Sequence, residues 1–197
     1  MDARAVGRGI FALALLVALA SAAGKGVVGD WEAAFRFAVV AVLVYLPRAS
    51  DVPPSFAAAF ATFLLLATWA SVQHWYPEIT YFDVLVHFLT PGSLAAVAYF
   101  ALVRWRLMPT VTAPPERLRS WAPVVWVTAV GLAAATLWEF YEWVVEQVAP
   151  AGMRVGYTDT VVDLFAGMLG SLVAGLLVLQ WGRRHERSWS SETGRAA

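Results

Sequence analysis

The stretch "LWEFYEWVVEQ", from Leu137 to Gln147, carries three glutamates in surroundings otherwise suited to lipid. An ionised carboxylate at the centre of a bilayer costs about 2.5–3.5 kcal/mol on insertion scales, so such acids turn toward protein or water rather than acyl chains. Glu139, Glu142 and Glu146 are spaced by three and four residues and form one stripe on a helix. Asp83 and His87 in "YFDVLVHF", and Asp159 and Asp163 in "YTDTVVD", are each four apart and share a helical face. Carboxylates gathered in a low-dielectric setting need compensation from protons, cationic side chains or metal ions. An imidazole among carboxylate oxygens suits a hard or borderline divalent metal such as Zn, Mn or Fe, and the excess of oxygen also admits Mg or Ca. The expected metal ligands are Asp83, His87, Glu139 and Asp163. Glu142 or Asp159 would then serve as general base toward a water that the ion acidifies. Arg36, four residues after Glu32, is the expected protein counter-ion.

Plainer roles compete for the same residues. Asp83 and Asp159 are preferred helix N-cap types and would be wetted at the interface. Glu146, near the end of its segment, is expected to be solvated, and a lone His87 would serve as a hydrogen-bonded structural group. His74, Tyr76, Tyr81 and Tyr157 flank these motifs as donors to the site or as interface aromatics.

The elements that must position these groups follow from composition. Of 197 residues, 60% are hydrophobic and 14% charged, which is a membrane composition. Six apolar segments stand out, at about 9–24, 31–46, 56–73, 83–103, 121–147 and 160–182, the first two short for a crossing of roughly 20 residues. The breaks hold Gly24-Lys25-Gly26, Pro47, Pro53-Pro54, Pro77, Pro109, Pro114-Pro115, Pro150, Gly152 and Gly156. The expected fold is all-α, a polytopic bundle of about six transmembrane helices, because helices satisfy their backbone within lipid and no barrel-like alternation is present. Residues 1–182 read as one transmembrane helical domain and 183–197 as a short polar cytoplasmic tail, with "HERSWSSETGRAA" disordered.

Lysine and arginine orient the bundle. With the N-terminus inside, Arg4, Arg8, Arg48, Arg104, Arg106, Arg117, Arg119, Arg183, Arg184, Arg187 and Arg195 are cytoplasmic, which leaves Lys25, Arg36 and Arg154 outside. Both termini are then cytoplasmic, and all three acidic motifs fall at the outer side. Arg4 and Arg8 before "IFALALLVALA", with Ala20-Ser21-Ala22, also fit a secretory signal, whose removal would leave five spans. The basic loop from Arg104 to Arg119 is suited to anionic headgroups as well as to orientation. A net charge of zero gives no reason to expect nucleic acid as a partner, and the absence of cysteine removes thiolate metal sites and disulfides.

Along the sixth segment Asp163, Gly167, Ser171 and Gly175 continue from Asp159 in steps of four, and along the fourth Asp83 and His87 lead into Pro91 and Ala95. Small residues in such a line let helices approach closely, which turns these faces into the bundle. "DVLVHFLTPGSLAAVA" and "DTVVDLFAGMLGSLVAG" resemble each other as a faint internal repeat with a two-residue slip.

In "YFDVLVHFLTPG", "LWEFYEWVVEQ" and "YTDTVVDLFAGMLGSLVAGLL" the chain resembles the YjdF-type family of small bacterial inner-membrane proteins. The resemblance implies a multi-pass protein of the bacterial cytoplasmic (inner) membrane, with Asp83, His87, Glu139, Glu142, Asp159 and Asp163 as motif positions. A looser similarity, the aspartate and histidine four apart followed by Phe88, is to VanZ-like envelope proteins, although "DVLVHF" lacks the lysine of that pattern. Three functions follow. The first is a metal site open to the outer side that hydrolyses or modifies an envelope lipid. The second is a proton- or cation-coupled transporter, and the third a structural protein whose acidic face docks a cationic segment. A carrier needs a polar route to the other side, and the inner halves of the segments read as dry.

Overall fold

The computed structural model of the chain describes residues 2–50, 52–108, 121–148 and 155–193. Arg117, Arg119, Arg154 and Arg195, and the turn residues Pro109, Pro114-Pro115, Pro150 and Gly152, lie outside the described residues. The elements are α1 (Ala3–Val27), α2 (Trp31–Tyr45), a 3-10 turn (Leu46–Ser50), α3 (Pro54–Val72), α4 (Trp75–Glu78), α5 (Phe82–Arg104), α6 (Ala122–Val148) and α7 (Tyr157–Thr193), with no strand among the described residues. The protein is a helical membrane bundle. Five helices, α1, α3, α5, α6 and α7, are long and apolar enough to cross a membrane. The fifteen residues of α2, at 1.5 Å each, reach only about 22 Å against a hydrocarbon core of about 30 Å.

Local chemistry sets the ends. Asp2 caps α1 by accepting from the Arg4 N–H at 3.0 Å. At the other end of α1, Gly29 takes φ +80, a left-handed conformation that glycine adopts without a Cβ penalty. The next residue, Asp30, caps α2 by accepting from Ala33 N–H at 3.2 Å and pairs with Lys25 at 2.9 Å. The Lys25 ammonium, followed by the Ala33 amide, holds the Asp30 carboxyl below its ordinary range. Pro54 opens α3 at a position where a missing N–H is harmless. The first segment, expected to be short, is a helix of 25 residues. Its Phe11, Ala14 and Ala18 build a core with Val40, Ala41 and Val44 of α2 and Ala57, Ala58 and Ala61 of α3. The polar stretch after Arg183, expected to be disordered, continues α7 to Thr193.

Counting α2, the helices α1, α2, α3, α5, α6 and α7 alternate in direction, so that α1 and α3 run parallel. A methyl on Gly7 would come within 2.9 Å of Pro54, so the starts of α1 and α3 adjoin. Arg36, early in α2, donates to Ser71 near the end of α3, and Phe56 and Phe100 stack at 5.2 Å between the start of α3 and the end of α5. Helices α5 and α7 run parallel: a methyl on Gly167 would lie 3.5 Å from the His87 carbonyl oxygen, and one on Gly92 only 2.5 Å from the Gly170 carbonyl oxygen. The glycine–serine dipeptides of the two similar segments, Gly92-Ser93 and Gly170-Ser171, thus meet at the crossing. Helix α6 runs antiparallel to both, with Gly131 against Ser171 and Ala95, and Val124 against Gly175. This closeness is what the small residues permit, and it brings the starts of α5 and α7 and the end of α6 to one end of the bundle.

Candidate metal centre

Two positive-φ residues, His74 (58°) and Tyr81 (62°), bracket the short α4 and fold it back over that end. Tyr76 within it donates to the Ala67 carbonyl at 3.1 Å, and Trp75 and Tyr76 pack edge-on against Phe82 at 6.0 and 5.8 Å. Burial, with the nearby charges of Asp83 and Glu142, pushes the Tyr76 hydroxyl above its ordinary range. Tyr76 therefore adjoins the acidic site but hydrogen-bonds to backbone. Tyr81 and Tyr157 are exposed and do not build the site.

His87 sits one turn inside α5, only 4% exposed. Its Nε2 lies 3.4 Å from Asp83 Oδ1, and its Nδ1 lies 3.6 Å from Glu139 Oε1. Each side of the ring therefore faces a carboxylate, one from its own helix and one from α6. Both separations exceed an ordinary N–H···O hydrogen bond of about 2.7–3.2 Å. They match the spacing of neighbouring ligands on a tetrahedral ion, about 3.4 Å when each ligand is about 2.0–2.1 Å from the metal.

Two groups of potential ligand atoms, each within 4.8 Å of one another, share the imidazole: Asp83, His87 and Asp163 in one, and His87, Glu139 and Glu142 in the other. Asp163 is 2% exposed and Glu139 7%. Glu139 Oε1 is buried without a hydrogen-bond partner. A carboxylate oxygen left so costs about 1–3 kcal/mol or more, which an ion would offset.

Local sequence explains why these side chains converge. Pro91 lacks an N–H and cannot donate to the His87 carbonyl, and that carbonyl turns to the close approach at Gly167. Asp163 precedes Gly167 by one turn on the face that packs inward, while Ser171, fully buried, donates to the Gly167 carbonyl at 2.6 Å. On α6, Leu137, Phe140, Tyr141, Trp143 and Val144 are exposed and Glu139 is buried, so lipid takes the aromatic faces and the acids turn inward. Residues 6–184 match the family described as "Predicted membrane protein (DUF2238)". The chain belongs to that family. No curated protein and no solved structure matches the chain.

In this DUF2238 protein the expected residues do not all meet. Asp83, His87, Glu139, Glu142 and Asp163 come together, whereas Asp159 belongs to neither group among the described residues. Neither Asp83 nor Asp159 is an N-cap: Tyr81 caps α5 without a side-chain bond, and Asp83 and Asp159 stand in the first turns of α5 and α7. There they complement the positive helix ends. Glu146, expected in solvent, is half-buried, and its Oε2 has no hydrogen-bond partner. Arg36 is not the counter-ion of the cluster: its guanidinium bonds to Glu32 and to Ser71 Oγ. One contributor escaped the sequence reading. Trp138 Nε1 donates to Glu142 Oε1 at 2.8 Å, a pairing at i,i+4 that a search of helix-spaced donors beside acids would have found.

Proposed function

We propose that this protein is a membrane-embedded metalloprotein whose divalent-metal site, drawing its ligands from Asp83, His87, Glu139 and Asp163, serves hydrolysis or modification of an envelope lipid. The observation that carries the reading is the buried, unpartnered Glu139 Oε1 aimed at His87 Nδ1. Oxygen-rich ligation with one imidazole suits Zn, Mn or Fe, and Mg less directly. A divalent ion there would acidify water and polarise an ester or phosphoryl oxygen. Glu142, oriented by Trp138, is the general base, a role for which Asp159 is less well placed. The aromatic face of α6 beside Glu142 is exposed to lipid, the phase from which an amphiphile would arrive.

With α2 as a sixth crossing, the positive-inside count supports this end lying outside the cytoplasmic membrane and both termini inside, in keeping with the YjdF-type resemblance. A transporter is less well supported. Beneath the site, Ala95, Val127, Ser171 and Val178 are closely packed. Ser93 and Ser171, buried polar side chains below it, hydrogen-bond to carbonyls of their own helices.

The test is release of water-soluble headgroup from phospholipid vesicles carrying the purified protein, with and without added Zn2+ or Mn2+. Metal-dependent release that Glu142→Gln abolishes is the expected result. Metal binding without turnover of any bilayer lipid would remove the lipid chemistry and leave a binding protein.

A further inference from the structure

We infer that the site is built for two divalent ions, one in each ligand group, bridged by the imidazole of His87. This rests on the metal reading above, adds its nuclearity, and makes Glu142 a ligand of the second ion as well as the group that takes a proton from water. Asp83 and Asp163 form one group with His87, Glu139 and Glu142 the other, and no larger group among the described residues brings all four acids within the same span. A single ion therefore leaves one pair of acids unliganded at the opposite nitrogen of the ring. Nε2 faces the first group through Asp83, and Nδ1 faces the second through Glu139. Both contacts, at 3.4 and 3.6 Å, are longer than an ordinary hydrogen bond, and Glu139 Oε1 has no hydrogen-bond partner at all.

Charge points the same way. Four carboxylates with one divalent ion and a neutral ring sum to −4 + 2 = −2. With two ions and the ring deprotonated, the sum is −4 + 4 − 1 = −1, a smaller net charge in a setting where uncompensated charge is costly. Loading both nitrogens requires the ring to give up its N–H proton to solvent, since each ion takes one nitrogen lone pair. The two ions would then stand about 6 Å apart, from ligand bonds of about 2.0–2.1 Å on either side of the ring. In this arrangement Asp83 and Glu139 are ligands to different ions, although both border His87.

Elemental analysis decides it. The full chain in detergent is stripped with chelator, equilibrated with excess Zn2+ or Mn2+, freed of unbound metal and analysed for metal per protein. The expected count is two for the native chain, one for Asp163→Asn and one for Glu139→Gln, and none retained by His87→Ala. In the Mn2+ form, the native chain should show a spin-coupled spectrum that both single variants lose. A native count of one overturns the two-ion site and leaves the metal reading standing, and a count of zero overturns both. Two ions retained by Asp163→Asn or by Glu139→Gln also overturns it. Should a variant fail to fold, the native count decides alone.

Discussion

His87 Nδ1 and Glu139 Oε1 face each other at 3.6 Å across the contact of α5 and α6, both buried, with no hydrogen bond closing the gap. A structural acid would be held by donors, because folding rarely leaves a buried carboxylate unsatisfied. Glu139→Leu is therefore expected to raise the stability of the metal-free protein by about 1–3 kcal/mol while abolishing metal binding. Denaturant unfolding in detergent, with and without Zn2+, measures both effects. A variant less stable than the metal-free native chain would mark Glu139 as a structural group.

Close helix crossings hold the acids together, and a single methyl should part them. A Cβ at Gly170 would fall 1.7 Å from the Phe88 carbonyl oxygen, and one at Gly131 1.9 Å from Ser171 Oγ, whereas at Gly9 it meets nothing within 4 Å. Gly170→Ala is expected to cost about 3 kcal/mol or more by overpacking and to weaken metal binding without touching a ligand. Gly9→Ala should change neither. Equal stability and affinity for the two variants would show that the crossing does not position the site.

Trp138 fixes one oxygen of Glu142. Partners that orient such groups typically contribute about 10–100-fold to metal affinity or activity. Trp138→Phe, which keeps an aromatic ring in lipid but deletes the N–H together with part of the indole, should weaken metal binding or slow turnover by about tenfold with little loss of stability. A drop in melting temperature matching that of Trp138→Ala would instead assign the indole to packing.

Tyr76 gives a pH dependence outside the spans. Burial raises its hydroxyl above the ordinary value, so the folded state favours the neutral phenol. The stability this contributes is fully present below about pH 10 and is lost as pH rises from there through the folded value. Tyr76→Phe should remove that alkaline loss in unfolding curves taken between neutral and strongly alkaline pH. An identical alkaline slope in both proteins would place the effect elsewhere.

Much of this was legible from periodicity. Steps of four through Asp163, Gly167, Ser171 and Gly175 marked the inward face of α7, because small residues are needed where backbones touch, and Gly167 and Gly175 do meet α6. The stripe Glu139–Glu142 and the pair Asp83–His87 were placed on their faces for the same reason. What the sequence hid depends on angles between helices. Spacing within one helix gave no way to see that Asp159 stays outside both groups, or that Arg36 turns to Ser71 on α3. The extent of α1 was also hidden, because hydropathy falls around Gly24-Lys25-Gly26 while the backbone hydrogen bonds continue to Val27.

The most direct test of a metal centre at the meeting of α5, α6 and α7 is the divalent-metal content of the chain purified in its native membrane lipids, beside His87→Ala prepared identically. Stoichiometric metal in the native protein, lost in a variant of unchanged helicity, is the predicted result. Absence of any retained ion from the native protein, even after incubation with Zn2+, Mn2+ or Fe2+, would contradict it.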